Sequence, residues 1–571
     1  MWEIVQGLRL MLTPKEKIRL VGVVILLSGG ALMEIAGLGL LLPLVAAFSK
    51  PELFEQNRAL QLFRQLFAGL SNSSFLIVCC LLIVLLYVVK NVWIFFTMHI
   101  YTKFVYQRLS ELACRLYSGF LGSRYQLFSD YGKVELNVHI NKVDQIGFMV
   151  LLPFMVVTVD LLTIFFISLT LLVTIPKIRL GCGVFFAIGT LLTYLPLKKV
   201  TLNTGNGISR LWSAINKLAF YSLDDIKTIK ITGTEDYFSE KFRKLRCEKS
   251  RYDRFFFMLG QIPRLVLETL AVISAIAMLA VLLWTGMPVG TVILSFSLLI
   301  AAMSRLLPSF SRINYSLSTI RAGYPMFKDM LDLLRISREE LGDTTAPLPF
   351  EKELKVEELS FAYPGSDKKV LSNVSFILKR NSSLAIVGTT GSGKSTLVDL
   401  LLGFHTPLAG KITVDGQDIN QHLGAWRKLI GLVPQFIVLA DTTIAANVAV
   451  GIEEEKIDRK RIQEVLKIAQ LEEFVNSLPD GMETVIGDNG MRLSGGQRQR
   501  LGIARALYRD PEIIVFDEAT SALDTETENA LMDAVEKLHG SKTLIMVAHR
   551  LSTVEKCDQR IEIKAAEEDI Q

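Results

Sequence analysis

Residues 384–403 read LAIVGTTGSGKSTLVDLLLG: an apolar run, a glycine-rich turn closed by lysine and serine, and then a run of helix-forming leucines. The pattern Gly-x-x-x-x-Gly-Lys-Ser is the P-loop, here in the strand-then-helix setting it requires. Glycines let backbone N–H groups wrap phosphate oxygens at a helix N-terminus. On this reading Gly388, Thr389, Thr390, Gly391, Ser392, Gly393, Lys394, Ser395 and Thr396 bind nucleotide, Lys394 reaches the β and γ phosphates, and Ser395 holds Mg²⁺.

A second motif stands downstream, IIVFDE at residues 513–518. An apolar strand ending in two carboxylates puts acidic groups where α/β folds place ligand chemistry, at the carboxyl end of the sheet. Asp517 is the expected Mg²⁺ ligand and Glu518 the base that polarises the attacking water.

Upstream the composition changes. The chain has 571 residues, is 50% hydrophobic and has a mean hydropathy of +0.37, too long for one ordinary domain and too apolar for a wholly soluble one. Runs near the ~20 residues needed to cross a bilayer lie at residues 20–48, 74–100, 146–174, 179–197, 264–285 and 289–310, which predicts six spans. The segments at 101–145 and 198–260 are long and basic, so they are expected on the cytoplasmic side, largely as helical extensions of the spans. Lys15, Lys17 and Arg19 precede a long apolar run without a small-residue cleavage site, so the first span reads as retained. Residues 2–19 suit an amphipathic surface helix or a frayed lead-in.

The net charge of +5, from 62 basic and 57 acidic residues, with no basic run interleaved with aromatics, excludes nucleic acid as the expected partner. The six cysteines have no metal-ligand spacing and predict no disulfide framework.

Charges inside the spans are costly, roughly 2.5 to 3.5 kcal/mol each at the bilayer centre. Glu34, Lys90, Arg264, Glu268 and Arg305 fall within them, and Arg312 stands at the end of the sixth. One reading pairs Arg264 with Glu268 at i,i+4 and leaves Lys90, Arg305 and Arg312 at wet helix extensions. The other has Lys90, Arg264, Arg305 and Arg312 converge on one cavity that attracts a phosphate or pyrophosphate.

Residues 493–497, LSGGQ, resemble the signature loop of ATP-binding cassette (ABC) proteins, and the region from about 350 to 558 can be aligned with that family. The resemblance implies that Tyr363 stacks on adenine, that Gln435 senses Mg²⁺ and the γ phosphate, and that His549 contacts the γ phosphate. It also implies that Ser494, Gly495, Gly496 and Gln497 close over the P-loop of a second cassette. Ser521–Asp524 match the pattern, and residues 484–490 resemble the exporter-specific loop that meets the membrane domain. The C-terminus departs from the pattern, with IEIKAAEEDIQ at 561–571 in place of a glycine-containing hairpin.

The implied architecture is that of an ABC exporter half-transporter. An all-α six-helix transmembrane domain, residues 1–340, precedes an α/β P-loop nucleotide-binding domain, residues 341–571, and coupling helices lie near residues 123–131 and 223–232. The implied activity is ATP hydrolysis driving alternating access, with ATP and Mg²⁺ as cofactors and a second copy as partner, a heterodimer being the alternative. The expected location is a bacterial inner membrane, crossed several times, with the nucleotide-binding domain cytoplasmic.

YVVKNV (87–92), QIPRLVLE (261–268) and MSRLLPSFSRI (303–313) resemble the lipid-linked oligosaccharide flippases of bacterial protein N-glycosylation. This implies a polyprenyl-pyrophosphate glycan as cargo, with Lys90 standing where arginine is expected. Export of another lipid, a peptide or a drug is the alternative, and an ATP-gated channel or sensor the third.

Overall fold

The computed structural model describes residues 6–7, 13–49, 65, 69, 72–174, 179–284, 289–336, 348–366, 368–487, 490–518, 532–533, 535–547 and 556–564, with some helical side chains, among them those of Glu34 and Arg305, outside the described set. The chain divides into two compact units, one of residues 1–123 and 130–339 and the other of residues 124–129 and 340–571.

The first unit is helical. Its elements are α1 (Pro14–Ser49), α2 (Asn72–Gly122), α3 (Gln126–Tyr131, whose first residues group with the second unit), α4 (Lys133–Ile146), α5 (Leu152–Thr174), α6 (Arg179–Asp224), α7 (Ile226–Thr232), α8 (Glu235–Trp284) and α9 (Val289–Ile336). A π-helical turn, Gly147–Leu151, joins α4 to α5. Among the described residues, counting α4, the π turn and α5 as one rod, six long helices coincide with the six runs expected as spans. At about 1.5 Å per residue the 51 residues of α2 exceed twice the ~30 Å hydrocarbon thickness, so the helix runs on beyond its apolar part, as the basic extension requires.

Among the described residues three stretches are long and apolar enough to cross a membrane: Cys80–Gly122, Lys133–Leu169 and Glu235–Ala277. Leu81, Leu85, Val88, Val92 and Phe95 of α2 are all exposed. Their spacing of three and four residues makes one continuous apolar stripe, which suits hydrocarbon rather than water.

The second unit contains β1 (Glu353–Phe361), β2 (Leu371–Lys379), β3 (Ser383–Val387), α10 (Lys394–Leu401), β4 (Ala409–Val414), β5 (Gln417–Asp418), β6 (Ile430–Val433), α11 (Gly495–Tyr508), β7 (Ile513–Asp517), β8 (Thr543–Val547) and β9 (Gln559–Glu562). One sheet is antiparallel, in the order β2-β1-β4-β5, and the other is five-stranded, in the order β6-β7-β8-β3-β9, with every pair parallel. Parallel strands covered on both faces read as continuous apolar runs, and SLAIV and TLIMV are buried at every position.

Alternation then sorts the two faces. Ile513 and Val515 of β7 and Ile545 and Val547 of β8 pack with Leu397, Val398 and Leu401 of α10. Ile514, Phe516, Leu544 and Met546 pack on the opposite face with Leu501, Ala504 and Leu507 of α11. Each fully buried aliphatic side chain contributes roughly 1.5 to 3 kcal/mol, so both helices are held to the sheet whose strand ends they flank. The unusual C-terminus still supplies the edge strand: β9 pairs with β3 from Leu384↔Gln559 to Val387↔Glu562, and Ile563 N–H donates to Val387 O at 2.8 Å.

Candidate functional site

Strand β3 delivers the chain into the turn Gly388–Gly393 and then α10. Backbone geometry dictates glycine at two of these positions. Gly393 has φ 99°, and a Cβ on Gly388 would meet Ile563 O at 2.4 Å, so a side chain is excluded where β9 crosses. Thr389, Thr390 and Gly391 are exposed, whereas Ser392 is 1% and Lys394 5% exposed. Lys394 Nζ folds back and donates to Gly388 O and Thr389 O, each at 3.1 Å. Ser392 Oγ is buried with no hydrogen-bond partner, the kind of orphaned polar atom that an anion in the turn would satisfy.

At the far end of β7, Gln435 Nε2 donates to Glu518 Oε2 at 2.9 Å, and Gln499 Nε2 of α11 donates to Gln435 O at 3.0 Å. Glu518 has φ 48°, a left-handed conformation that costs a non-glycine residue energy and recurs at functional sites. Burial, and then the charge of Glu518, push the Asp517 carboxyl above the usual carboxylate range. The Asp517 carboxylate, with the Ser395 hydroxyl and the Gln435 amide oxygen, offers an all-oxygen donor set that fits Mg²⁺.

Asp399, one turn beyond Ser395 on α10, is pushed up to about 6 by burial and by the charge of Asp517. The folded chain therefore keeps this proton at pH values where an unfolded Asp, near ~3.9, has lost it. Stability from this group is complete below that pH and is lost as pH rises to about 6. Asp399→Asn, which stays neutral, is expected to melt progressively higher than the wild type as pH is raised from about 4 to 7 in the absence of nucleotide. Scanning fluorimetry across that range decides it, and a melting difference independent of pH would refute the assignment.

Tyr363 Oη lies 3.0 Å from Thr396 Oγ1, and its ring is 38% exposed. The signature residues form a capping box: Gln497 N–H donates to Ser494 Oγ at 3.2 Å, and Ser494 N–H donates to Gln497 Oε1 at 2.8 Å. The first-turn N–H groups of Gly495 and Gly496 have no acceptor within a helix, and Gly495 is exposed. A Ser-x-x-Gln pattern is itself a helix-start signal, and the sequence reading took LSGGQ only through its family. His549 and residues 521–524 lie outside the described residues.

In the helical unit a cavity of about 670 Å³ is lined by apolar groups such as Phe148, Leu152 and Val156, together with Arg264, Glu268 and Arg312. Two of the four basic residues read from the sequence therefore share one cavity. Lys90 is not among its lining residues; it is 6% exposed, with Nζ 5.2 Å from the Tyr87 ring centre. The side chain of Arg305 lies outside the described residues. No ion pair joins Arg264 to Glu268 among the described residues; both line the cavity instead.

Asp160 is the residue that sequence reasoning missed. It is 1% exposed and faces the half-exposed Arg312, whose Nη2 and Nε donate to Asp160 Oδ1 and Oδ2 at 2.5 and 3.0 Å. A lone acidic residue within an apolar run was the available signal.

Residues 371–521 match the family described as ABC transporter. Among curated proteins the chain is 34% identical over 358 residues to an ATP-dependent lipid A-core flippase of Chromohalobacter salexigens, covering 62% of this chain and 61% of that one. It is 39% identical over 266 residues to an ATP-dependent lipid A-core flippase of Vibrio parahaemolyticus, 46% of each. The matched part thus spans about half to three fifths of these relatives' own lengths. Among solved structures, a bacterial Atm1-family ABC exporter with ATP bound superposes with a TM-score of 0.77 at 22% identity, over 94% of both chains. The fold is thus that of an ABC exporter, a region of long apolar helices followed by an α/β domain that carries the stretch matching the ABC transporter family.

Proposed function

We propose that the chain is one half of an ATP-hydrolysing transporter, which pairs with a second copy to form two composite ATP sites and flips an amphipathic lipid across a bacterial inner membrane. The observation that carries this reading is the 2.9 Å contact between Gln435 and Glu518 at the end of the sheet that also presents the P-loop. Bound Mg²⁺ would neutralise phosphate charge, held by Ser395, Asp517 and Gln435. Lys394 leaves its two carbonyls for the β and γ phosphates, Tyr363 stacks on adenine, and Glu518 holds the proton taken from the attacking water. His549 meets the γ phosphate, and Ser494, Gly495, Gly496 and Gln497 of the second copy present the helix start that closes the site. Cytoplasmic placement of the nucleotide-binding domain follows from the basic segments that flank the spans.

For the cargo we propose a polyprenyl-pyrophosphate-linked oligosaccharide. The cavity joins apolar lining to the guanidinium groups of Arg264 and Arg312, which suits a lipid bearing a phosphate-rich head; Arg305 completes the basic set read from the sequence, and Lys90 is left out of it. A second reading, another lipid, is favoured by the relatives named lipid A-core flippases. The test is ATP-dependent flipping of a labelled polyprenyl-pyrophosphate glycan in proteoliposomes. Transport above an ATP-free control is expected. Intact ATPase activity without glycan flipping would transfer the assignment to the other lipid.

A further inference from the structure

The loop that leaves α10 is built rigidly. Trp426 Nε1 donates to Leu401 O at 2.7 Å, Arg427 Nη2 donates to Gly403 O at 2.7 Å, and the Arg427 guanidinium lies 5.5 Å from the centre of the Phe404 ring. These contacts hold Phe404, and the next ring, His405, lies 5.3 Å from that of Phe361. Phe404 stacks on Tyr125 at 4.6 Å with the planes 22° apart. His405 stands edge-on to Tyr125 at 6.1 Å and edge-on to Tyr363 at 5.7 Å. Tyr125 belongs to residues 124–129, the piece of chain between α2 and α4 that groups with the second unit.

His405 therefore touches both the ring assigned to adenine and the ring at the end of a membrane helix's continuation. We propose that His405 is a positioning residue for nucleotide, which couples the seating of Tyr125 to the adenine-stacking pose of Tyr363. The proposal rests on the assignment of Tyr363 to adenine. The coupling is reciprocal: a seated Tyr125 tightens ATP binding, and bound ATP holds Tyr125 in place. Nothing in the P-loop chemistry requires a histidine here, and the aromatic contacts account for its place.

The experiment is a double-mutant cycle on the full-length chain in nanodiscs, reading the affinity for a fluorescent ATP analogue labelled on the ribose, in a Glu518→Gln background that prevents turnover. Loss of one aromatic pair corresponds to about a 2- to 10-fold change in affinity. Tyr125→Ala and His405→Ala are each expected to weaken binding by that factor, and the combination to be no weaker than either alone. Tyr125→Phe, which keeps the ring, is expected to bind as the parent does, and His405→Phe to restore tight binding. Effects that multiply in the double variant, or a Tyr125→Ala chain that binds as the parent does, would overturn the coupling. A parent chain that fails to bind the analogue at all would overturn the nucleotide assignment and the coupling with it.

Discussion

Glu518→Gln is expected to lower ATP turnover about 10²- to 10⁴-fold, the usual loss when a positioned general base is removed, while ATP binding persists. The substitution changes almost nothing but basicity. The new side chain has the same length and its carbonyl oxygen can still accept from Gln435 Nε2 at the 2.9 Å contact, and the left-handed φ of 48° bears on glutamate and glutamine alike. Lys394 and the P-loop glycines are untouched, so the phosphate contacts survive. Phosphate release and nucleotide affinity measured on the same preparation separate the two effects. Turnover remaining above about a tenth of wild type would remove Glu518 from the role of base.

Arg312→Ala is expected to destabilise the helical unit by about 2 to 3 kcal/mol, less than the ~3 to 5 kcal/mol typical of breaking a fully buried pair, because the arginine is partly wet. The damage comes from what remains: Asp160, 1% exposed, would be left as a buried charge without its guanidinium. Asp160→Asn is expected to cost less, about 1 kcal/mol, since Arg312 is half-exposed and can hydrate. Joining Asp160→Asn to Arg312→Gln removes both charges and should recover most of the stability. Thermal unfolding of the three variants in detergent checks this order, and an Arg312→Ala chain as stable as wild type would contradict it.

The same series cleans up the cargo test. Flipping lost in the stable double variant reports on headgroup binding, whereas flipping lost only in Arg312→Ala reports on the buried Asp160 charge.

The residues proposed for the nucleotide site were legible because their motifs are local. A strand, a glycine turn and a lysine within a dozen residues need no tertiary information, and neither does an apolar strand ending in Asp517 and Glu518. The six long helices were legible for a related reason, since hydropathy over some twenty residues reports the solvent a segment requires. What stayed hidden depends on residues far apart in the chain.

Asp160 and Arg312 are 152 positions apart, and only the packing of α5 against α9 makes an apparently misplaced acid the partner of a base. The π turn at Gly147–Leu151 adds a residue to one helical turn and so resets which side chains of α5 face a given neighbour; hydropathy averaged over a span cannot see that shift. Lys90 shares the charge of Arg264 and Arg312 and yet is not among the residues lining their cavity, because helix rotation, not composition, decides which face a residue occupies.

The sequence by itself thus determined the class of fold and the residues proposed for the ATP chemistry, since these are written in contiguous motifs and in long apolar runs. Only the tertiary structure decided which charges meet, which arginines share a cavity and which rings connect Tyr125 to Tyr363, since such pairings depend on helix register and strand order, and no local segment encodes them.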